Sequence, residues 1–209
     1  MNEQPGAAQF VPVATDLKGL RTAASGCRGC DLWRRGTQTV FGEGPEPAEL
    51  VLVGEQPGDR EDIEGRPFVG PSGHTLDTAL ERAGIDRSRV YLTNAVKHFR
   101  WKERGKRRLH ERPLRSQVVA CQPWLRAELE LLSPRLVVLL GAVAAQSLLG
   151  AGFSVTRERG IVRDVPPGLP AIVATVHPSS ILRAPDDARK ARMDEFVADL
   201  RLAADVLAA

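Results

Sequence analysis

No apolar stretch of this 209-residue chain approaches the roughly 20 residues that a membrane-spanning helix requires, so no membrane span is expected. Met1 to Val13 has neither a basic n-region nor an apolar h-region, and no secretory signal is expected. These absences point to the cytoplasm. Only three cysteines occur, Cys27, Cys30 and Cys121. In a reducing compartment a stable disulfide is not expected among them. Charge of one sign is scarce too. The formal net charge is +3, so the field of the whole molecule is weak, and attraction to a polyanion must come from local basic clusters. Neither an internal repeat nor a domain linker is visible.

What is present is ordinary for a soluble globular chain: 43% hydrophobic and 26% charged residues, in a length that suits one large α/β domain with a proper core. Residues 1–14 read as a flexible arm and 15–209 as one domain. Thr15-Asp16 is suited to cap a short helix through about Ala24. Leu50-Val51-Leu52-Val53 is too short for an ordinary helix and reads as a buried strand within 49–54. Three further strands are predicted at Val90–Thr93, Val137–Leu140 and Ile172–Val176, with helices over 73–83, 114–132, 141–149 and 186–207. An edge strand or hairpin is expected within 155–165, and irregular chain over 34–48, 55–72 and 97–113. The β-α order predicts a three-layer α/β/α domain around a central, mainly parallel four-stranded sheet.

In such sheets ligands bind beyond the carboxyl ends of the strands. Here those ends are polar: Gly54-Glu55-Gln56-Pro57-Gly58-Asp59 after the first strand, Asn94 after the second, and His177-Pro178-Ser179-Ser180 after the fourth. Their convergence at one sheet edge suggests a site. The first exit lacks G-x-G-x-x-G, which argues against a nucleotide-binding Rossmann domain. The loop 55–72 exceeds the ~12–15 residues usual in compact domains, and it carries Phe68, an aromatic unsuited to water.

Cys27-Arg28-Gly29-Cys30 suits a tight knuckle holding two thiolates on one metal. A thioredoxin-like dithiol would want a preceding buried strand and a helix starting inside the motif, and neither is visible. With Cys121 there are three sulfur ligands. His98 is the nearest candidate for a fourth, and spacing does not choose between zinc and an iron–sulfur cluster. Residues 97–113 are densely basic, with Lys106, Arg107 and Arg108 placed to contact phosphates without reading sequence, or to form a solvated charge run.

Together these motifs resemble the uracil-DNA glycosylase superfamily from Cys27 to the terminal helix. The closest likeness is to its iron–sulfur family 4 and, more closely, to the UdgX branch. Gly54–Asp59 looks like the first family motif and Gly65–Gly73 like the pocket loop. Thr93-Asn94 looks like the base-reading position, and His177–Ser180 like the second catalytic motif. Two departures from family 4 resemble UdgX. His98 stands where family 4 has a cysteine, and Lys106-Arg107-Arg108-Leu109-His110 resembles the K-R-R-I-H loop. The resemblance implies a [4Fe–4S] cluster on Cys27, Cys30, His98 and Cys121. It also implies uracil-containing DNA as partner, free uracil as product and a monomer.

Uracil is unreachable inside a duplex, so the nucleotide is flipped or, as favoured here, taken from a single strand. Phe68 is the expected stacking ring. Asn94, with Gln56 beside it, is expected to read the uracil edge. The resemblance places His177 where charge develops on the departing base, and His110 where an imidazole bonds to C1′ and leaves a covalent adduct. Glu55 would fix the tautomer of His110 and stabilise its charge, and Asp59 would help orient the set. Ser179, Leu182 and Arg183 are expected near DNA. Ile181-Leu182-Arg183 reads equally as a wedge into the vacated stack or as a hydrophobic helix start. The alternatives are a turnover uracil-DNA glycosylase and a noncatalytic, metal-stabilised DNA-binding module.

Overall fold

The computed structural model describes residues 6–13, 16–163 and 170–208. Helix α1 (Leu17–Ala24) starts where Asp16 accepts a 2.6 Å hydrogen bond from the Gly19 N–H, an N-cap that offsets an orphan donor. Strand β1 (Leu50–Gly54) follows, then α2 (Asp59–Glu64), α3 (Pro71–Ala83) and β2 (Val90–Asn94). A hairpin of β3 (Trp101–Arg104) and β4 (Arg107–His110) precedes α4 (Arg115–Leu132). The rest is β5 (Leu136–Leu140), α5 (Gly141–Leu149), α6 (Val155–Glu158), β6 (Val162–Arg163), β7 (Ala171–Thr175), α7 (Pro178–Leu182) and α8 (Asp186–Ala208).

The main sheet has the order β2-β1-β5-β7-β6. Its first four strands are parallel and β6 pairs antiparallel with β7. Side chains alternate between faces along a strand. Leu50 and Leu52 pack with Leu76, Leu80, Phe196 and Leu200 on one face. Val51 and Val53 pack with Leu20, Trp124, Leu125 and Ala144 on the other. Both faces are covered, which is why β1 reads as an unbroken apolar run. The three-layer α/β/α architecture is as expected.

Four local expectations need correction. The sheet has five strands, because two-residue β6 adds an edge; residues 164 and 165 of the segment expected to hold it lie outside the described residues. The loop 55–72 contains α2, closed by Gly65 in the left-handed region (φ 73°). The segment 97–113 contains a hairpin that pairs only with itself, so no apolar alternation announced it. Finally, part of the supposed arm is docked: the Ala7 N–H donates to the Ala120 carbonyl at 2.7 Å, and Ala7 is buried. Residues 1–5, 14 and 15 of that region lie outside the described residues. Among the described residues no helix is long and apolar enough to cross a membrane.

Candidate active site

The exits of β1, β2 and β7 open into one cavity of about 800 Å³, lined among others by Glu55, Phe68, Asn94, His110, His177 and Arg183. Gly54 makes the close approach possible. A Cβ there would collide with Asn94 Oδ1 and stand 2.7 Å from Phe68 Cζ. Phe68 is buried and has φ 58°. A bulky residue in the left-handed region is strained, and such strain gathers at functional sites. Its ring lies 6.3 Å from that of His177 at an interplanar angle of 24°.

His177 caps α7. The Ser179 N–H donates to its Nδ1 at 3.2 Å, and Ser179 Oγ lies 2.9 Å from the same atom. A backbone N–H can only donate, so Nδ1 carries the lone pair and the neutral ring keeps its proton on Nε2. Burial, reinforced by Arg183 and His110, lowers the His177 pKa to about 4. The ring is therefore a neutral donor at pH 7. Gly141, at φ 87°, permits its position, because a Cβ there would be 2.8 Å from His177 Cβ.

His110 ends β4, with its ring 6.0 Å from that of Phe99. Its Nε2 is 3.5 Å from Glu55 Oε1, a buried oxygen that among the described residues has no hydrogen-bond partner. Burial raises the Glu55 pKa against the pull of Arg112 and Arg183. Burial and Arg183 lower that of His110. The two groups are thus pushed toward each other, a carboxylate in need of a partner beside an imidazole that stays neutral.

Some expected roles shift. The Gln56 side chain, expected at the uracil edge, is engaged elsewhere. Its Nε2 donates to the carbonyls of Arg100 (3.2 Å) and Glu111 (3.0 Å), and its Oε1 accepts from the Arg100 N–H (3.1 Å). It ties the hairpin base to the β1 exit. Arg108, expected on phosphate, is an anchor: Nε lies 2.6 Å from Asp59 Oδ1 and Nη1 2.6 Å from Asp62 Oδ2. Asp59, expected to help orient the reacting set, pairs with this hairpin arginine at the cavity rim. Lys106 and Arg107 are exposed at the hairpin tip, as phosphate contacts would be. Ile181 is core, whereas Leu182 and Arg183 face outward, so the wedge and helix-start readings divide between neighbouring residues. Ser179 is engaged with His177.

Behind Asn94 lies a buried network that nothing local in the sequence announces. Lys97 Nζ pairs with Glu128 and donates to Thr93 Oγ1 (2.6 Å) and the Asn94 carbonyl (2.9 Å). Glu128 also accepts from Tyr91 Oη and the Gly42 N–H. Lys97 and Glu128 are 31 positions apart and both fully buried. Together they fix the end of β2 that carries Asn94.

Cys27, Cys30, Cys121 and His98 line a second, much smaller pocket together with Ala7 and Trp124. Backbone and indole N–H groups aim at two sulfurs: Trp124 Nε1 (3.1 Å) and Gly29 N (3.4 Å) at Cys27, and Lys97 N (3.3 Å) at Cys121. Burial pushes the Cys30 thiol up to about 11 and that of Cys121 to about 12. A nearby cation is what converts such thiols to thiolates. The Thr39 hydroxyl donates to the Ala24 carbonyl, so at 3.0 Å it accepts from His98 Nε2, leaving Nδ1 of the neutral ring as a ligand lone pair. Such an outer hydrogen bond is typical of metal-binding histidine. The donor chemistry fits a soft-metal centre, although among the described residues no three His, Cys, Asp or Glu side chains are arranged to hold a single ion.

Comparison with known proteins agrees with this geometry. The family profile described as the uracil DNA glycosylase superfamily matches residues 41–201. The type-4 uracil-DNA glycosylase of Pyrobaculum aerophilum is 33% identical over 193 residues, covering 90% of this chain and 92% of that protein. The Thermotoga maritima type-4 enzyme is 37% identical over 158 residues, 75% of this chain and 78% of that one. The Sulfurisphaera tokodaii type-4 enzyme is 36% identical over 149 residues, 69% and 64% of the respective chains. With the profile spanning most of its length and both the sheet and the strand-exit cavity in place, the chain belongs to the uracil DNA glycosylase superfamily.

Proposed function

We propose that this chain excises uracil from DNA and that His110, rather than water, captures the sugar left behind. The excision half is supported by the cavity that gathers a ring, an amide and a neutral imidazole donor, and by relatives named for that activity. The capture half rests on one observation: His110 stands 3.5 Å from the buried Glu55 carboxylate in the same cavity. The type-4 relatives favour the simpler outcome, in which water takes that place and the enzyme turns over.

A flipped uracil stacks on Phe68, and Asn94 both donates to and accepts from its imide edge. Single-stranded DNA avoids the unpairing cost. As the C1′–N1 bond breaks, its electron pair leaves with uracil, and His177 Nε2–H stabilises the developing negative charge. The sugar becomes oxocarbenium-like. The lone pair on one His110 nitrogen then forms the N–C1′ bond, while Glu55 holds the proton on the other and stabilises the alkylated, positively charged ring. The uracil anion takes its proton from solvent. The alkylated imidazole is a poorer leaving group than the base it replaces, so the adduct persists.

The soft donor set is read as the holder of a [4Fe–4S] cluster on Cys27, Cys30, Cys121 and His98, zinc being the alternative. The role is structural: these residues join the α1 end, the β2 exit, α4 and Ala7. Iron and acid-labile sulfide in anaerobically purified protein, both lost in His98→Ala, would support the cluster; zinc without sulfide would replace it.

The functional test is stoichiometric. Excess uracil-containing oligonucleotide is incubated with protein and free uracil is quantified. Release that stops at one equivalent supports capture. Continued release means that water, not His110, completes the reaction. No release on any uracil substrate would remove the excision reading itself.

A further inference from the structure

A second groove, of about 420 Å³, runs between α4 and α5 and borders the active-site cavity at Arg112 and Val143, which line both. Among the described residues no carboxylate lines it. Arg115 and Arg126 line it from one face of α4: eleven positions are three helical turns, about 16 Å along the axis. Both are exposed, and among the described residues neither lies within ion-pair distance of an acidic side chain. Arg112, shared with the active-site cavity, adds a third exposed guanidinium to the same lining. Between Arg115 and Arg126 lies exposed Val119, an apolar surface. A row of cations along a groove interrupted by apolar contact matches a single nucleic-acid strand, which offers phosphates and base faces in turn.

We infer that this groove is the track for the DNA strand flanking the flipped nucleotide, with Arg115 and Arg126 on its phosphates. The inference rests on the uracil-DNA reading for which strand is bound. It adds residues of α4 to Lys106 and Arg107, which stand at the hairpin tip. Guanidinium forks suit phosphate bidentately, and contacts of this kind position the strand without reading it.

The test uses the full-length protein and a labelled thymine-only single-stranded 20-mer, so it does not depend on uracil chemistry. Binding is followed by fluorescence anisotropy across salt concentrations for wild type, for Arg115→Ala/Arg126→Ala, and for Arg192→Ala, an equally exposed arginine on α8. For two lost phosphate contacts the slope of log K against log salt should become shallower by about 1.4, with about tenfold weaker binding at low salt. Arg192→Ala should keep the wild-type slope. Uracil release from a three-nucleotide substrate, too short to fill the groove, should be unchanged in the double variant. In a separate 20-mer carrying one uracil, neutral methylphosphonate linkages should weaken wild type when placed on one side of the uracil only and leave the double variant indifferent. An unchanged slope, or equal losses in the double variant and Arg192→Ala, overturns the proposal. If wild type releases no uracil but the slope still falls, the groove stands and the excision reading fails.

Discussion

The two halves of the cavity are held by opposite means. Asn94 and His177 sit at the exits of buried parallel strands and Phe68 in the loop between α2 and α3, backed by apolar packing and, behind Asn94, by the sealed Lys97–Glu128 network. His110 sits on a hairpin outside the main sheet, held by Arg108 across Asp59 and Asp62 and by the Gln56 amide. On the proposed reading, recognition of the base is built into the core, whereas the group that would meet the sugar is carried by an appendage with charged attachments. Such a division makes the two functions separable by mutation.

The largest effect should come from the core half. On the proposed reading His177→Ala removes a preorganised donor to the leaving base and should slow excision by about 10²–10³-fold, measured as single-turnover uracil release. A smaller drop would mean that charge on the base is stabilised elsewhere. Next comes the network behind Asn94. Lys97→Met strands a buried carboxylate and should destabilise the fold by about 3–5 kcal/mol in denaturant titration. Lys97→Met/Glu128→Leu should recover part of that loss, and a double variant no more stable than the single would show that packing rather than charge dominates there.

Attachment of the hairpin is the next point to break. Arg108→Ala should lower the rate of adduct formation about tenfold through loss of positioning, while uracil release changes little. Equal losses of both would place the hairpin in base recognition too. The smallest effect is in pH. Burial raises Glu55 above its ordinary 4.5 and lowers His110 below its ordinary 6.5. Adduct formation needs the carboxylate ionised and the imidazole neutral. It should fall on acidification, Glu55 taking its proton at a higher pH than an ordinary carboxylate and His110 at a lower pH than an ordinary imidazole. A limb centred above pH 7 would contradict the assignment.

The contrast between the two halves also explains what could be read from sequence. Buried strands followed by polar exits are a strong local pattern, so Glu55, Asn94 and His177 were legible. The hairpin was not, because Arg108 looks like its neighbours in a charge run until Asp59 and Asp62 are folded against it. Lys97 likewise reads as part of a basic loop, and only the fold brings Glu128 to it. Gln56 has the right chemistry for an imide edge, yet the hairpin base reaches its amide first. Two-residue β6 carries too little pattern to be placed more closely than somewhere within 155–165. Helix α2 hides between glycines in a loop whose length alone drew notice.

The most direct test is denaturing gel electrophoresis after mixing the protein with end-labelled uracil-containing single-stranded DNA, with His110→Ala and a thymine strand alongside. A heat- and detergent-resistant shifted band that requires uracil and disappears in His110→Ala, with alkali-labile abasic sites left in its place, is the expected result. Alkali-labile sites with no shifted band in wild type would contradict covalent capture and leave a hydrolytic enzyme in which His110 serves only to position DNA.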